Sequence, residues 1–176
     1  SSIWQIGKAN WGTGEFFQGL IDNYKIVSRA WSEEEVREEA LKYVDKAQLQ
    51  TAVDEQYAEE EEKYNQERGR WEAYQAALQT AQDVLADEEA KQSTVDSAAE
   101  ALVKVQAWMR MDEALHDCIE ETQEPQYTIK SWAPYKEALA NAQETYANET
   151  ADSAPTADVV EATAKALRDT QGALVN

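Results

Sequence analysis

The chain has 176 residues, with 16 Lys plus Arg against 35 Asp plus Glu and a formal net charge of −19 at pH 7. No basic surplus exists to neutralise phosphates, which excludes a duplex nucleic-acid binder and argues against docking on anionic lipid. The one cysteine, Cys118, excludes an intrachain disulfide framework and a multi-cysteine zinc site, and six Gly with three Pro point to long helices.

In chain order, residues 1–7 are a short apolar run around Ile3, Trp4 and Ile6. Residues 8–15 form a Gly- and Asn-bearing loop that carries Trp11. Residues 16–27 follow as a longer strand candidate with Phe16, Phe17, Leu20, Ile21, Tyr24, Ile26 and Val27, in which a bulge at 21–23 restores the inward face for Tyr24 and Ile26. Two strands cannot form a stable core, so these side chains need a partner outside the chain as given. Ser1 is accordingly expected to be a boundary cut into a longer protein. No basic-then-apolar leader and no run of about 18 apolar residues is read, so no signal peptide and no membrane insertion are expected in this stretch.

Helices begin at residue 32. Ser32 followed by Glu35 forms a capping box, Trp31 precedes the cap as a staple for Val36, and Glu33, Glu34 and Glu35 suit the positive end of the helix dipole. The helical remainder contains an internal repeat. Trp71, Tyr74, Leu78, Ala81 and Leu85 return 61 residues later as Trp132, Tyr135, Leu139, Ala142 and Tyr146. Val95, Ala98, Leu102, Val105 and Met109 return at an offset of 65 as Val160, Thr163, Leu167, Thr170 and Leu174, so the second copy has four extra residues in the loop 148–155. The preceding helices look less alike, with Leu49, Val53 and Tyr57 set against Leu115, Cys118 and Ile119. The pattern predicts a mainly α chain of two tandem three-helix bundles preceded by the last β-strands of an incomplete β-sandwich. Without Gly or Pro between Glu89 and Glu124, one helix over about residues 93–121 is expected to serve both bundles.

Two resemblances attach to these residues. The stretch FFQGLIDNYKIVSRAWSEEEV resembles the end of a LamG-like, concanavalin A-type jelly roll through Gly19, Ile21, Asp22, Ile26, Arg29, Ala30 and Ser32, with Trp31 in place of the usual Leu. Residues 46–176 resemble two tandem FIVAR modules through YTIKSWAPYKEALANAQ, WEAYQAALQTAQDVLAD and the Ala-x-Ala-Leu segments at 99–102 and 164–167. The first copy departs at Tyr64-Asn65-Gln66-Glu67-Arg68-Gly69-Arg70-Trp71, two residues longer than the Tyr-Thr-x-x-Ser-Trp pattern. The resemblances imply three segments: 1–38 as the sandwich end, 39–111 as the first module and 112–176 as the second. They imply a secreted or wall-attached Gram-positive bacterial protein, with a glycoside hydrolase as the parent. The expected role is a non-catalytic spacer or accessory region, with glycans or a surface protein as weak partners. The alternative is an adhesin whose helical modules bind a host or matrix protein.

Candidate chemistry is sparse, and no cofactor is expected. Glu59, Glu60, Glu61 and Glu62 run around a helix and read as a solvated face. His116 and Cys118 stand at i, i+2 on different helix faces, so no metal site is read there. Trp71 and Trp132 occupy equivalent stripe positions and read as core, with Tyr127 stapled onto Trp132. Trp11 differs, because it sits in a loop beside strands, and it is the one candidate for carbohydrate binding. The sequon Asn148-Glu149-Thr150 is set aside for a bacterial protein.

Overall fold

The computed structural model describes residues 24–57, 64, 69–118, 126–150 and 154–176. Its contacts divide the chain into two units, Ser1–Arg37 and Glu38–Asn176. The strand expectations over residues 1–23, and with them Trp11, lie outside the described residues, as does the acidic run 59–62.

In the first unit, residues 24–27, the end of the strand expected over 16–27, are in irregular backbone. Tyr24, Ile26 and Val27 are exposed with no element among the described residues packed over them, so the expected inward face of Tyr24 and Ile26 is not found there. Helix α1 (Glu33–Leu41) starts as the sequence predicts. The Glu35 N–H donates to Ser32 Oγ at 3.2 Å, and the Ser32 N–H donates back to Glu35 Oε2 at 2.9 Å. Arg29 joins the cap, its Nη1 donating to Glu35 Oε2 at 2.7 Å. The Arg29 guanidinium, followed by the Ser32 backbone N–H, holds the Glu35 carboxyl down at about 2. Trp31 takes the Lys25 ammonium over its ring at 5.8 Å while Val36 remains exposed.

The second unit holds α2 (Ala47–Asp54), α3 (Arg70–Ala86), α4 (Gln92–His116), α5 (Ile129–Ala147) and α6 (Ala157–Gly172). The repeat fixes their ends: α3 and α5 both stop at an alanine 61 residues apart, and α4 and α6 start 65 residues apart. The α3–α4 connection is residues 87–91 and the α5–α6 connection is 148–156, which places the four extra residues where the offsets predict. Helix α4 runs unbroken for 25 residues, about 38 Å at 1.5 Å per residue, and ends at His116, short of the expected 121, because Asp117 and Cys118 leave the helix. It packs with α2 and α3 through Val95, Ala98, Ala99, Leu102 and Met109, and with α5 and α6 through Ala107, Trp108, Met111 and Ala114. One helix therefore serves two hydrophobic cores, and the change of partner falls at residues 105–109.

Equivalent residues do equivalent work in both cores. Tyr74 and Tyr135, Ala81 and Ala142, Val95 and Val160, and Leu102 and Leu167 are all buried pairs. Tyr64 stacks on Trp71 (5.9 Å, 10°), and Tyr127 stacks on Trp132 (5.6 Å, 3°). Each indole then tilts against the tyrosine one turn on, at 5.4 Å in the first bundle and 5.3 Å in the second. The stack survives the two extra residues before Trp71. Gly69, at φ 58, turns the chain through the left-handed region directly before α3, a conformation glycine adopts without a Cβ penalty.

The first helices are more alike than the sequence suggests. Gln106 Nε2, on α4, donates to Ala52 O at 2.8 Å and Glu55 O at 3.0 Å, at the end of α2. Gln171 Nε2, 65 residues on, donates to Asp117 O at 2.6 Å, at the end of α4. Asp117 is itself 65 residues after Ala52, the offset that α4 and α6 also keep while α3 and α5 stand 61 apart, and Leu49 corresponds to buried Ala114 rather than to Leu115. Both glutamines satisfy carbonyls that a helix end leaves without an intrahelical partner. The change from Leu to Ala hides this register, because hydrophobic pattern alone aligns Leu49 with the wrong leucine.

Candidate functional site

The only dense cluster of charged side chains buried among the described residues lies where the two bundles meet on α4. Arg70 opens α3 at 5 % exposure, and Asp112, on the second half of α4, is 4 % exposed. Arg70 Nε donates to Asp112 Oδ2 at 3.0 Å. Its two Nη atoms grip Glu149 as a fork, Nη1 to Oε1 at 2.6 Å and Nη2 to Oε2 at 3.0 Å. The guanidinium plane also lies over the Trp108 ring, 5.4 Å from its centroid. Trp108 in turn meets Tyr146 of α5 edge-on at 6.0 Å. Arg70 belongs to the first bundle, and Glu149 and Tyr146 to the second, so this one side chain spans the joint.

Arg110 makes a second tie from α4. Its Nη1 donates to Glu55 Oε1 and, at 2.7 Å, to the Tyr57 hydroxyl, both just past α2. Its Nε donates to Glu161 of α6, and Arg168 of α6 donates to the Arg110 carbonyl at 3.2 Å. Tyr64, from the first bundle, donates its hydroxyl to Glu113 Oε1 at 3.0 Å.

The electrostatics fit a structural joint. Burial disfavours the charge on Arg70, but the hydrogen bonds and charges of Glu149 and Asp112 more than offset it, and the net shift is upward. Arg110 behaves alike: burial opposes its charge, and Glu161, Tyr57 and Glu55 restore it. Burial, then the hydrogen bond to Glu55, pushes the Tyr57 phenol up, so it stays a neutral donor. Charge-assisted, forked contacts of this kind carry geometric specificity as well as energy. Breaking one by removing a partner typically costs 3–5 kcal/mol where the remaining charge is buried.

The residues singled out from sequence fall elsewhere. Trp132 is buried in the second core at 3 % exposure, and Trp71, half-buried, packs against the first, so both serve packing as expected. His116 is exposed, with Nδ1 2.9 Å from Asp117 Oδ1, while Cys118 is half-buried. Among the described residues no group of three His, Cys, Asp or Glu could hold a metal ion, and no helix is long and apolar enough to cross a membrane. Sequence reasoning missed Arg70, Arg110, Asp112 and Glu149. It also missed Lys46, whose Nζ donates to Val84 O, Leu85 O and Asp87 O (3.0, 3.1 and 2.6 Å) and so caps the C-terminus of α3. The available signal was the repeat itself, since a residue that breaks an otherwise matched copy, such as Arg70 opposite Ser131, is doing something its counterpart does not.

The family model of the FIVAR domain matches twice, over residues 45–107 and 117–175. The nine residues between the two matches, 108–116, are the part of α4 that carries Trp108, Arg110 and Asp112. No curated protein and no solved structure matches the chain.

Proposed function

The chain belongs to the FIVAR domain family, and from that premise we propose that its two modules are a non-catalytic spacer in a carbohydrate-active protein of the bacterial cell surface. FIVAR is a module of cell-surface, often carbohydrate-active, proteins, which supports the setting. The observation that carries the role is the continuous helix α4, shared by both cores and tied on two sides by Arg70 and Arg110. A spacer must hold its ends at a set distance, and a shared helix with buried ties does that where a loop would not.

In this reading the modules comprise residues 39–111 and 112–176, and the parent is a wall-attached glycoside hydrolase of a Gram-positive organism. Residues 1–38 close a LamG-like sandwich whose other strands lie elsewhere. The Arg29–Glu35 pair and the Ser32 cap support that assignment, because they give the Arg-Ala-x-Ser-acidic stretch a structural job. Trp11 is the candidate sugar contact. Among the described residues of Glu38–Asn176 the exposed large apolar side chains are Tyr43, Val103, Ile129, Val159 and Val175. Tyr43, Val103 and Val159 come from different elements, while Ile129 and Val175 share one end of the second bundle, where the Thr128 N–H donates to the Val175 carbonyl at 2.8 Å. Two side chains are less than the contiguous patch that marks a protein-binding face, which favours a spacer over an adhesin.

The test is a pulsed electron-spin distance measurement on the full chain. Cys118 is replaced by Ser, and spin labels are placed at the exposed positions Gln79 on α3 and Lys165 on α6. A single narrow distance distribution is expected. A broad or two-peaked one would mean that the joint bends, and the spacer reading would be lost.

A further inference from the structure

Carried through the internal repeat, the joint residues fall into two sets. The carboxylate set recurs: Glu149 corresponds to Glu88 at offset 61, and Glu161 to Asp96 at offset 65, both exposed in the first bundle. The cationic and aromatic set does not. Arg70, Trp108 and Arg110 correspond to Ser131, Ala173 and Val175. At the far end of the second bundle those three small or apolar residues, with Thr128, Lys130, Pro134 and Thr170, border an open groove of about 410 Å³, whose cation is the ammonium of exposed Lys130 and not a buried, forked guanidinium. Ser131 Oγ there donates to the Val175 carbonyl at 3.2 Å, which ties the C-terminal segment to α5 in place of a guanidinium reaching outward.

We propose that the far end of the first module is a keyed acceptor. Arg70, Trp108 and Arg110 fit a three-helix module that presents two carboxylates at its near end, and their engagement couples the two modules into one cooperative unit. The near-end carboxylates are common to both copies and the guanidinium end is not, so the second module seats on the first, and Ser131, Ala173 and Val175 offer a further module no such fork. The physical reason is the burial of Arg70. A desolvated guanidinium is stable only with its carboxylates in place, so the first module is completed by the arrival of Glu149. The coupling holds whether the parent is a hydrolase or an adhesin.

The experiment gives the first module the second module's residues, Arg70→Ser together with Arg110→Val, in the full chain. It is followed by calorimetry and by amide exchange resolved along α4. The wild type is expected to melt residues 45–175 in one transition. The variant is expected to melt them in two, with amides at 106–113 exchanging about a hundredfold faster while those of Leu102 and Leu167 keep their protection. One undivided transition with unchanged exchange at 106–113 would overturn the proposal. If that variant does not fold, Glu149→Gln with Glu161→Gln takes its place, since those side chains are 16 % and 40 % exposed and their loss spares the cores. The same two outcomes then decide.

Discussion

The two modules use one core and two different ends. Tyr74 and Tyr135, Leu102 and Leu167, and Val95 and Val160 occupy matching buried sites. The Gln106 and Gln171 amides close matching helix ends. At their ends the copies part: the first ends in Arg70, Arg110 and Trp108, the last of which enters the second module's core, and the second ends in Ser131, Ala173 and Val175. The positions that make a three-helix bundle are thus separate from those that decide what the bundle stands against. Residues on the stripe answer to hydrophobic burial, which any copy needs. Residues at the end answer to a neighbour, which differs for each copy.

The largest expected effect tests the ends. Trp108→Ala removes a 2 % exposed side chain packed between Arg70 and Tyr146 and should cost about 3–5 kcal/mol. Its counterpart Ala173 is exposed, and Ala173→Ser should be within about 0.5 kcal/mol of neutral. Urea unfolding of the two variants checks this, and equal losses would remove the distinction between the ends.

A middle-sized effect tests the shared core. Gln106 is 1 % exposed and Gln171 half-buried, although both cap a helix. Gln106→Ala leaves the Ala52 and Glu55 carbonyls without that donor and should cost about 1–3 kcal/mol, whereas Gln171→Ala should cost about 0.5–1 kcal/mol because water can replace it. Thermal melts of the single variants measure the ratio, and a reversed order would show that burial does not set the strength of this cap.

The smallest effect lies in the first unit. The folded-state pKa of Glu35 is depressed from 4.5 to about 2, so its contribution is present above the unfolded value and is lost as pH falls through the window between them. Side-chain carboxyl shifts of Glu35, followed by NMR, should titrate near the bottom of that window, and α1 should fray at its start as they do. In Arg29→Ala the midpoint should rise toward the unperturbed value.

Much of the helical part could be read from the sequence because its signals are local. The Ser32 and Glu35 cap, the Tyr127 stack on Trp132 and the continuity of α4 each depend on residues within a few turns, where spacing alone brings groups together. The joint could not be read that way. Arg70 finds Asp112 42 residues away and Glu149 79 residues away, and nothing in the local pattern distinguishes it from an exposed charge at a helix start. Gln106 was hidden for a related reason: a polar residue between Val105 and Ala107 on an apolar stripe carries no periodic signal, and its partner carbonyls carry none either.

The Arg70–Glu149 contact couples the modules. A double-mutant cycle with Arg70→Met and Glu149→Gln, measured by chemical denaturation of the full chain, tests it most directly. A coupling energy of about 2 kcal/mol is expected, in the range of residues that share a charged network. Additive losses, with a coupling below about 0.5 kcal/mol, would contradict it and leave α4 with the Arg110 and Tyr64 contacts as the links between the two bundles.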